Sequence, residues 1–427
     1  MKFVIHLAYS LLLVIAAPFL LYSLYKKKPN KPSVGRRWKE HFGFTPKLNT
    51  DEQPIWIHAV SVGECIAATP LIKKLKAQNP DKTIVVTTTT STGAQQIEKL
   101  GDWVTHRYMP VDFRFAINGF IKAVKPQQLL IIETELWPNM LSVVKGANIP
   151  ITLINARLSA KSRDSYHKFR LLFNTMHPNI ERILCQSNQD CDNFKYLGVD
   201  ASKLAVTGSI KFDISVPQSA IDSGKQLRSQ LGTQRPVWIA ASTHNREDQK
   251  ALDAHKMVLQ QHPNALLILV PRHPERFDDV YALCIQNQLQ TIRRSGADVE
   301  TPHTQVYLAD SMGEMLAMLS AADICFMGGS LGSAKVGGHN VLEPAILAMP
   351  IIIGPHYYNF KDIVERLRQH KGLYDVHNAN ELGATVCKLI ANPSLAREAG
   401  KHSFSFAQSQ QGALAKTIDA ISNRDTQ

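Results

Sequence analysis

Three carboxylates and two cations stand where apolar runs of the chain stop. Glu64 follows Ile57-His58-Ala59-Val60-Ser61-Val62-Gly63, which reads as a strand end, a turn permitted by Gly63 and the opening of a helix. Two readings are open for it. It is the third member of a capping box begun by Ser61, or a general base at a strand's carboxyl end, facing bound substrate. Glu133 and Glu135 come directly after the apolar run Leu129-Leu130-Ile131-Ile132 and just before Trp137-Pro138-Asn139. Paired charges at such a place are costly unless they are neutralised or used. Lys211, in Ser209-Ile210-Lys211-Phe212-Asp213, is a cation able to meet these acids or a phosphate.

The second half carries a different chemistry. Val270-Pro271-Arg272-His273-Pro274 ends an apolar run with a cation, and Asp310-Ser311-Met312-Gly313-Glu314 reads as a helix start with free main-chain N–H groups. Gly328-Gly329-Ser330-Leu331-Gly332 leads through Gly337-Gly338-His339 to Asn340-Val341-Leu342-Glu343-Pro344. Glycine-rich backbone running into a helix start suits a phosphate, and Glu343 is placed to accept hydrogen bonds from ribose hydroxyls. Neither a dinucleotide G-x-G-x-x-G after a first strand nor a P-loop is present. Asp190-Cys191-Asp192 reads as surface and helix-start charge. His244, His262, His273, His303 and His339 lack ligand spacing, so neither a metal nor a cofactor is expected. The six cysteines are scattered without a C-x-x-C pair and read as buried thiols in a reducing compartment.

Positioning these residues requires a particular set of elements. A chain of 427 residues exceeds one ordinary core. Short apolar runs alternate with helical stretches: 55–59, 83–87, 104–109, 129–132, 151–154, 182–185 and 204–206, then 237–240, 265–270, 305–308, 324–327 and 350–353. Continuous apolar strands of this kind predict an α/β fold of parallel sheets covered on both faces. The reading is two doubly wound, Rossmann-like domains, 28–211 and 235–427, joined by a linker at 212–234 that has room for a short helix. The active site is expected in the cleft between them, at the carboxyl ends of the strands.

Residues 1–27 read as an uncleaved membrane anchor, nearly continuous in apolar residues from Phe3 to Tyr25 and followed by Lys26, Lys27, Lys28, Lys31, Arg36, Arg37 and Lys39. That asymmetry places the remainder on the cytoplasmic face of the membrane. The net charge of +12 predicts anionic partners. Nucleic acid is disfavoured because the basic residues gather at the membrane flank and no recognition motif is present.

Taken together, the blocks His58–Glu64, Glu133–Asn139, Ser209–Asp213, Pro271–Phe277, Met312–Glu314, Gly337–Pro344 and Gly354–Ile363 resemble the 3-deoxy-D-manno-octulosonic acid (Kdo) transferases, glycosyltransferase family 30. They occur in the family's order over nearly the whole chain, and the joint pattern is far more specific than any one block. The resemblance implies a GT-B fold at the bacterial inner membrane. It also implies transfer of Kdo from CMP-Kdo to the lipid A precursor lipid IVA in lipopolysaccharide synthesis, without a tightly bound metal. Glu64 matches the family's catalytic base, and Glu133 and Lys211 match positions assigned to transition-state stabilisation. Pro271, Arg272, Met312, Gly313, Glu314, Asn340, Val341, Leu342 and Glu343 match the CMP-binding stretches. One departure is local: the link Leu331–Val336, between Gly329 and Gly337, is longer than in common members. Competing readings are a GT-B transferase using a UDP-sugar and a non-catalytic, membrane-tethered protein that binds anionic lipid.

Overall fold

The computed structural model describes residues 2–26, 33–50, 52–214, 216–296 and 303–422. The expected basic residues Lys27, Lys28 and Lys31 lie outside them. The chain forms two compact units, 2–213 with 411–422, and 214–410.

The first unit is built on seven parallel strands: β1 (Ile55–His58), β2 (Ile84–Thr88), β3 (Thr105–Tyr108), β4 (Gln128–Ile132), β5 (Ile151–Ala156), β6 (Arg182–Cys185) and β7 (Leu204–Val206). Their order is β3-β2-β1-β4-β5-β6-β7. Strand periodicity explains why the runs are apolar throughout. Leu129, Ile131, Leu153 and Ile183 point into one core, and Leu130, Ile132, Ile154 and Leu184 into the other. The order reverses between β1 and β4, and this switch point puts the loops bearing Glu64 and Glu133 side by side.

The second unit repeats the plan with β8 (Val237–Thr243), β9 (Leu266–Pro271), β10 (Thr291–Arg293), β11 (Val306–Leu308), β12 (Ile324–Met327), β13 (Ile351–Ile353) and β14 (Leu373–Asp375), ordered β10-β11-β9-β8-β12-β13-β14. Every expected strand is present. The outer strands β10 and β14 were not expected: each has three residues, and none of β10 is fully buried, so neither carries the continuous apolar signature of an inner strand.

Two boundaries differ from the sequence reading. Gln218–Leu231 is a 14-residue helix whose Leu227 and Leu231 are buried within the second unit, so most of the expected linker belongs there. The last described helix, Ala413–Ser422, returns to the first unit. Ala413, Ile418 and Ile421 enter the core beside β1 and β4, and the Asp213 carboxylate accepts the N–H groups of Gly412 (2.6 Å) and Leu414 (2.5 Å).

Lys2–Tyr25 is helical over 24 residues with Pro18 inside. Among the described residues no helix is long and apolar enough to cross a membrane. The expected anchor segment is a helix that makes contacts with the first unit. The reason is a polar stripe at helical spacing that finds partners there. Tyr9 Oη donates to Asp112 (3.0 Å), Asn139 Nδ2 donates to Ser10 Oγ (3.1 Å), and His6 Nδ1 lies 3.4 Å from Asn139 Oδ1. Val4, Leu7, Leu11, Leu12, Val14, Ile15 and Phe19 remain exposed. All six cysteines are free and buried, as their apolar surroundings implied.

Candidate active site

In the first unit, β1 ends at His58 and Ser61 caps the helix Val62–Gln78 in extended conformation. Ser61 Oγ accepts the Glu64 N–H (3.3 Å) and donates to Glu64 Oε1 (2.8 Å), while Val60 N–H donates to Oε2 (2.7 Å). Ser61 therefore caps the helix, and Glu64 reaches back to the N–H of Val60 rather than to that of Ser61, which leaves the carboxylate fixed at the strand's carboxyl end. Burial pushes its pKa up to about 7. The hydrogen bonds from Ser61 and Val60 oppose that shift, and the nearby charges of Glu135 and Glu133 add to it.

Glu133 leaves β4 with φ +62°, a left-handed conformation that costs a residue with a Cβ. Its N–H still reaches Ile154 O (2.8 Å), and its carboxylate meets Lys211 Nζ at 2.6 Å. Both side chains are about one-third exposed (28% and 36%), so the pair fixes geometry more than it stabilises the fold. Lys211 sits in the turn Ile210–Phe212, which is held by Asn155 Oδ1 accepting the Ile210 N–H (3.2 Å) and by the Asp213 bonds to the last helix. Glu135 accepts from Trp137 Nε1 (3.0 Å). Trp137 stands before Pro138 at the head of the next helix, whose Asn139 and Met140 N–H groups are capped by Asp112 at 3.0 and 2.6 Å. The three acids and the lysine that the sequence singled out thus converge.

In the second unit, Pro271 closes β9, and the Arg272 N–H is tied to Thr243 O (3.0 Å) while its side chain is exposed. Asn340 Oδ1 accepts the Leu342 N–H (3.1 Å), and its Nδ2 donates to Glu343 (3.3 Å). Burial raises the Glu343 pKa, opposed by Asn340 and by the nearby Arg272. Val341 and Leu342 are core residues, which leaves their main chain for any ligand. Met312 is exposed and Gly313 has φ +88°; Glu314 is held by Arg294 (2.8 Å) and Ser311.

The glycine-rich run behaves differently from the expectation. Glu247, wholly buried, fills the turn Gly329–Gly332: its Oε1 accepts from Ser330, Leu331 and Gly332 (2.9, 2.7 and 3.2 Å), and its Oε2 from Gly329 (2.7 Å) and His244 (2.9 Å). A phosphate has no donors left there. The long link that follows is anchored by Tyr358 Oη to Lys335 O and Asn359 Nδ2 to Val336 O, both 2.8 Å.

Three of the histidines come together in space although they are far apart in the sequence. His244 and His273, at the ends of β8 and β9, meet His339, which follows Gly337-Gly338, with His244 Nε2 and His339 Nε2 2.8 Å apart. Linear spacing cannot show this, since 95 residues separate the bonded pair. Among the described residues no group of three or more His, Cys, Asp or Glu side chains is arranged to hold a metal.

A family model described as 3-deoxy-D-manno-octulosonic-acid transferase (kdotransferase) matches residues 36–214. The 3-deoxy-D-manno-octulosonic acid transferase of Haemophilus influenzae is 39% identical over 416 residues, 97% of each chain. That of Bordetella pertussis is 32% identical over 381 residues, 86% of each. The UDP-GlcNAc 2-epimerase of Neisseria meningitidis superposes with a TM-score of 0.54 over 86% of this chain and 99% of its own at 12% identity, a likeness of fold alone. With two parallel-sheet units of GT-B type and identity sustained over nearly its full length, the chain belongs to the 3-deoxy-D-manno-octulosonic acid transferase family of glycosyltransferases.

Proposed function

We propose that the chain transfers Kdo from CMP-Kdo to a hydroxyl of lipid IVA by a single inverting displacement with Glu64 as base. The observation that carries the mechanism is the Glu64 carboxylate, held at a strand's carboxyl end with a pKa near 7 beside Glu133 and Lys211. In the step, the acceptor oxygen forms a bond to the anomeric carbon as the carbon–oxygen bond to CMP breaks. CMP leaves with the electron pair, and the acceptor's proton passes to Glu64. Glu133, held by Lys211, stabilises positive charge developing at the anomeric centre, and Lys211 offsets the standing negative charge of the donor's carboxylate.

The donor residues of this reading are Arg272 with the main chain of Pro271, Met312–Glu314 and Asn340–Glu343. The exposed Arg272 guanidinium offsets the charge on the departing phosphate. Glu343, held by Asn340, faces the ribose. The first helix, docked by its polar stripe with an apolar face left open, supports association with the inner membrane, where the acyl chains of the acceptor reside.

The test incubates detergent-solubilised protein with CMP-Kdo and lipid IVA and reads the lipid by mass spectrometry. A gain of whole Kdo units is expected, lost in Glu64→Gln while CMP binding persists. Turnover by Glu64→Gln removes the base assignment. No gain with intact CMP-Kdo, or a gain from a UDP-sugar instead, overturns the donor.

A further inference from the structure

The His244–His339 pair has no part in the family-derived reading, yet its placement is specific. His244 follows β8, and its main-chain N–H is fixed by the buried Glu247. His339 is delivered by Gly337 and Gly338, both at positive φ. A Cβ on Gly329 would lie 2.8 Å from the His339 ring, so glycine is needed for the approach. The two rings are nearly parallel (11°), with their Nε2 atoms in hydrogen-bond contact at 2.8 Å. One proton must therefore lie between two nitrogens, one ring donating and the other accepting.

The neighbours include two arginines and a third histidine. His273 stands 5.1 Å from His244, ring to ring. Arg272 acts on both members of the pair and Arg276 on His244, while Glu247 is the acid on this side. His356 and Tyr357 pack against Gly338. Burial lowers the pKa of both members, and for His339 the charges of His244, Arg272 and His273 lower it further, so in the empty protein the pair is neutral near pH 7. An anion laid against Arg272 reverses that balance.

We propose that His244 and His339 belong to the donor's anion site and act as one unit, taking up a single proton when a nucleoside monophosphate phosphate binds beside Arg272. The shared proton then spreads one positive charge over both rings, and that charge is in place as the leaving phosphate gains its own. The proposal rests on the second unit binding a CMP-sugar.

CMP itself is the probe, with the full chain in detergent. Titration calorimetry at pH 7.5 in two buffers of different ionisation enthalpy counts the protons taken up, at a pH where the phosphate, with its second pKa of about 6, is already dianionic. Wild type is expected to take up protons on binding CMP, and its affinity to fall between pH 7 and 8.5, by up to about tenfold per pH unit. His339→Gln, His244→Gln and the double variant are each expected to lose the uptake and flatten the pH dependence to the same degree, because one proton is shared. CMP binding with equal proton uptake in wild type and variants overturns the pair and leaves the donor site standing. Additive losses from the two single variants also overturn it, as two independent histidines. Absence of CMP binding by wild type overturns both.

Discussion

A carboxylate that receives two hydrogen bonds ordinarily titrates below its free value. Glu64 receives them from Val60 and Ser61, and its pKa is nonetheless about 7, because burial outweighs them and Glu135 and Glu133 add their charge. The base is competent only when ionised, so kcat is expected to rise with pH and level off above about 7. Glu135→Gln removes a negative neighbour, eases ionisation of Glu64, and is expected to move the midpoint to lower pH. A pH–rate profile with an unmoved midpoint would remove Glu135 from that role. At this scale polar residues near the ends of apolar runs marked Glu64, Glu133 and Lys211 as candidates, whereas the choice between cap and base for Glu64, and the roles of all three, came from the family resemblance. The left-handed turn at Glu133 was not legible, since the position carries no glycine, asparagine or aspartate to announce a positive φ.

The glycine-rich turn after β12 shows how an element can be read correctly and its use misjudged. Its free N–H groups were evident from the sequence, but the acid that occupies them comes from Glu247, more than 80 residues upstream at the start of another helix. Glu247→Ala leaves five N–H groups without their acceptor, four of them on buried or nearly buried turn residues. A loss of at least about 3 kcal/mol is expected. Thermal unfolding should show the melting temperature of the second unit falling by several degrees, with Glu247→Gln intermediate. A variant that melts like wild type would mean that the turn finds other acceptors. The strands around it were legible where they are central, because an inner parallel strand must be apolar on both faces. The three-residue outer strands carry no such requirement and were invisible.

For the whole molecule, two Rossmann-like units followed from two sets of buried runs, whereas the route of the chain between them did not. The helix Ala413–Ser422 is amphipathic in a way that fits many surfaces, and nothing in its residues says which sheet it completes. Its Ile418 lies in the first unit's core, so Ile418→Ala is expected to cost about 2–5 kcal/mol there. Calorimetric scans should show the loss in the first unit's transition and not in the second's; the opposite assignment would refute the topology. The closure of the first unit by this helix also bears on how the protein is made. On the ribosome the acid cluster is synthesised early, yet the helix that seals its sheet and holds Asp213, two residues from Lys211, emerges after the entire second unit. The unit that begins folding first is thus the one finished last, and a nascent chain halted anywhere within 214–410 presents the acids without the support that sets the lysine against them.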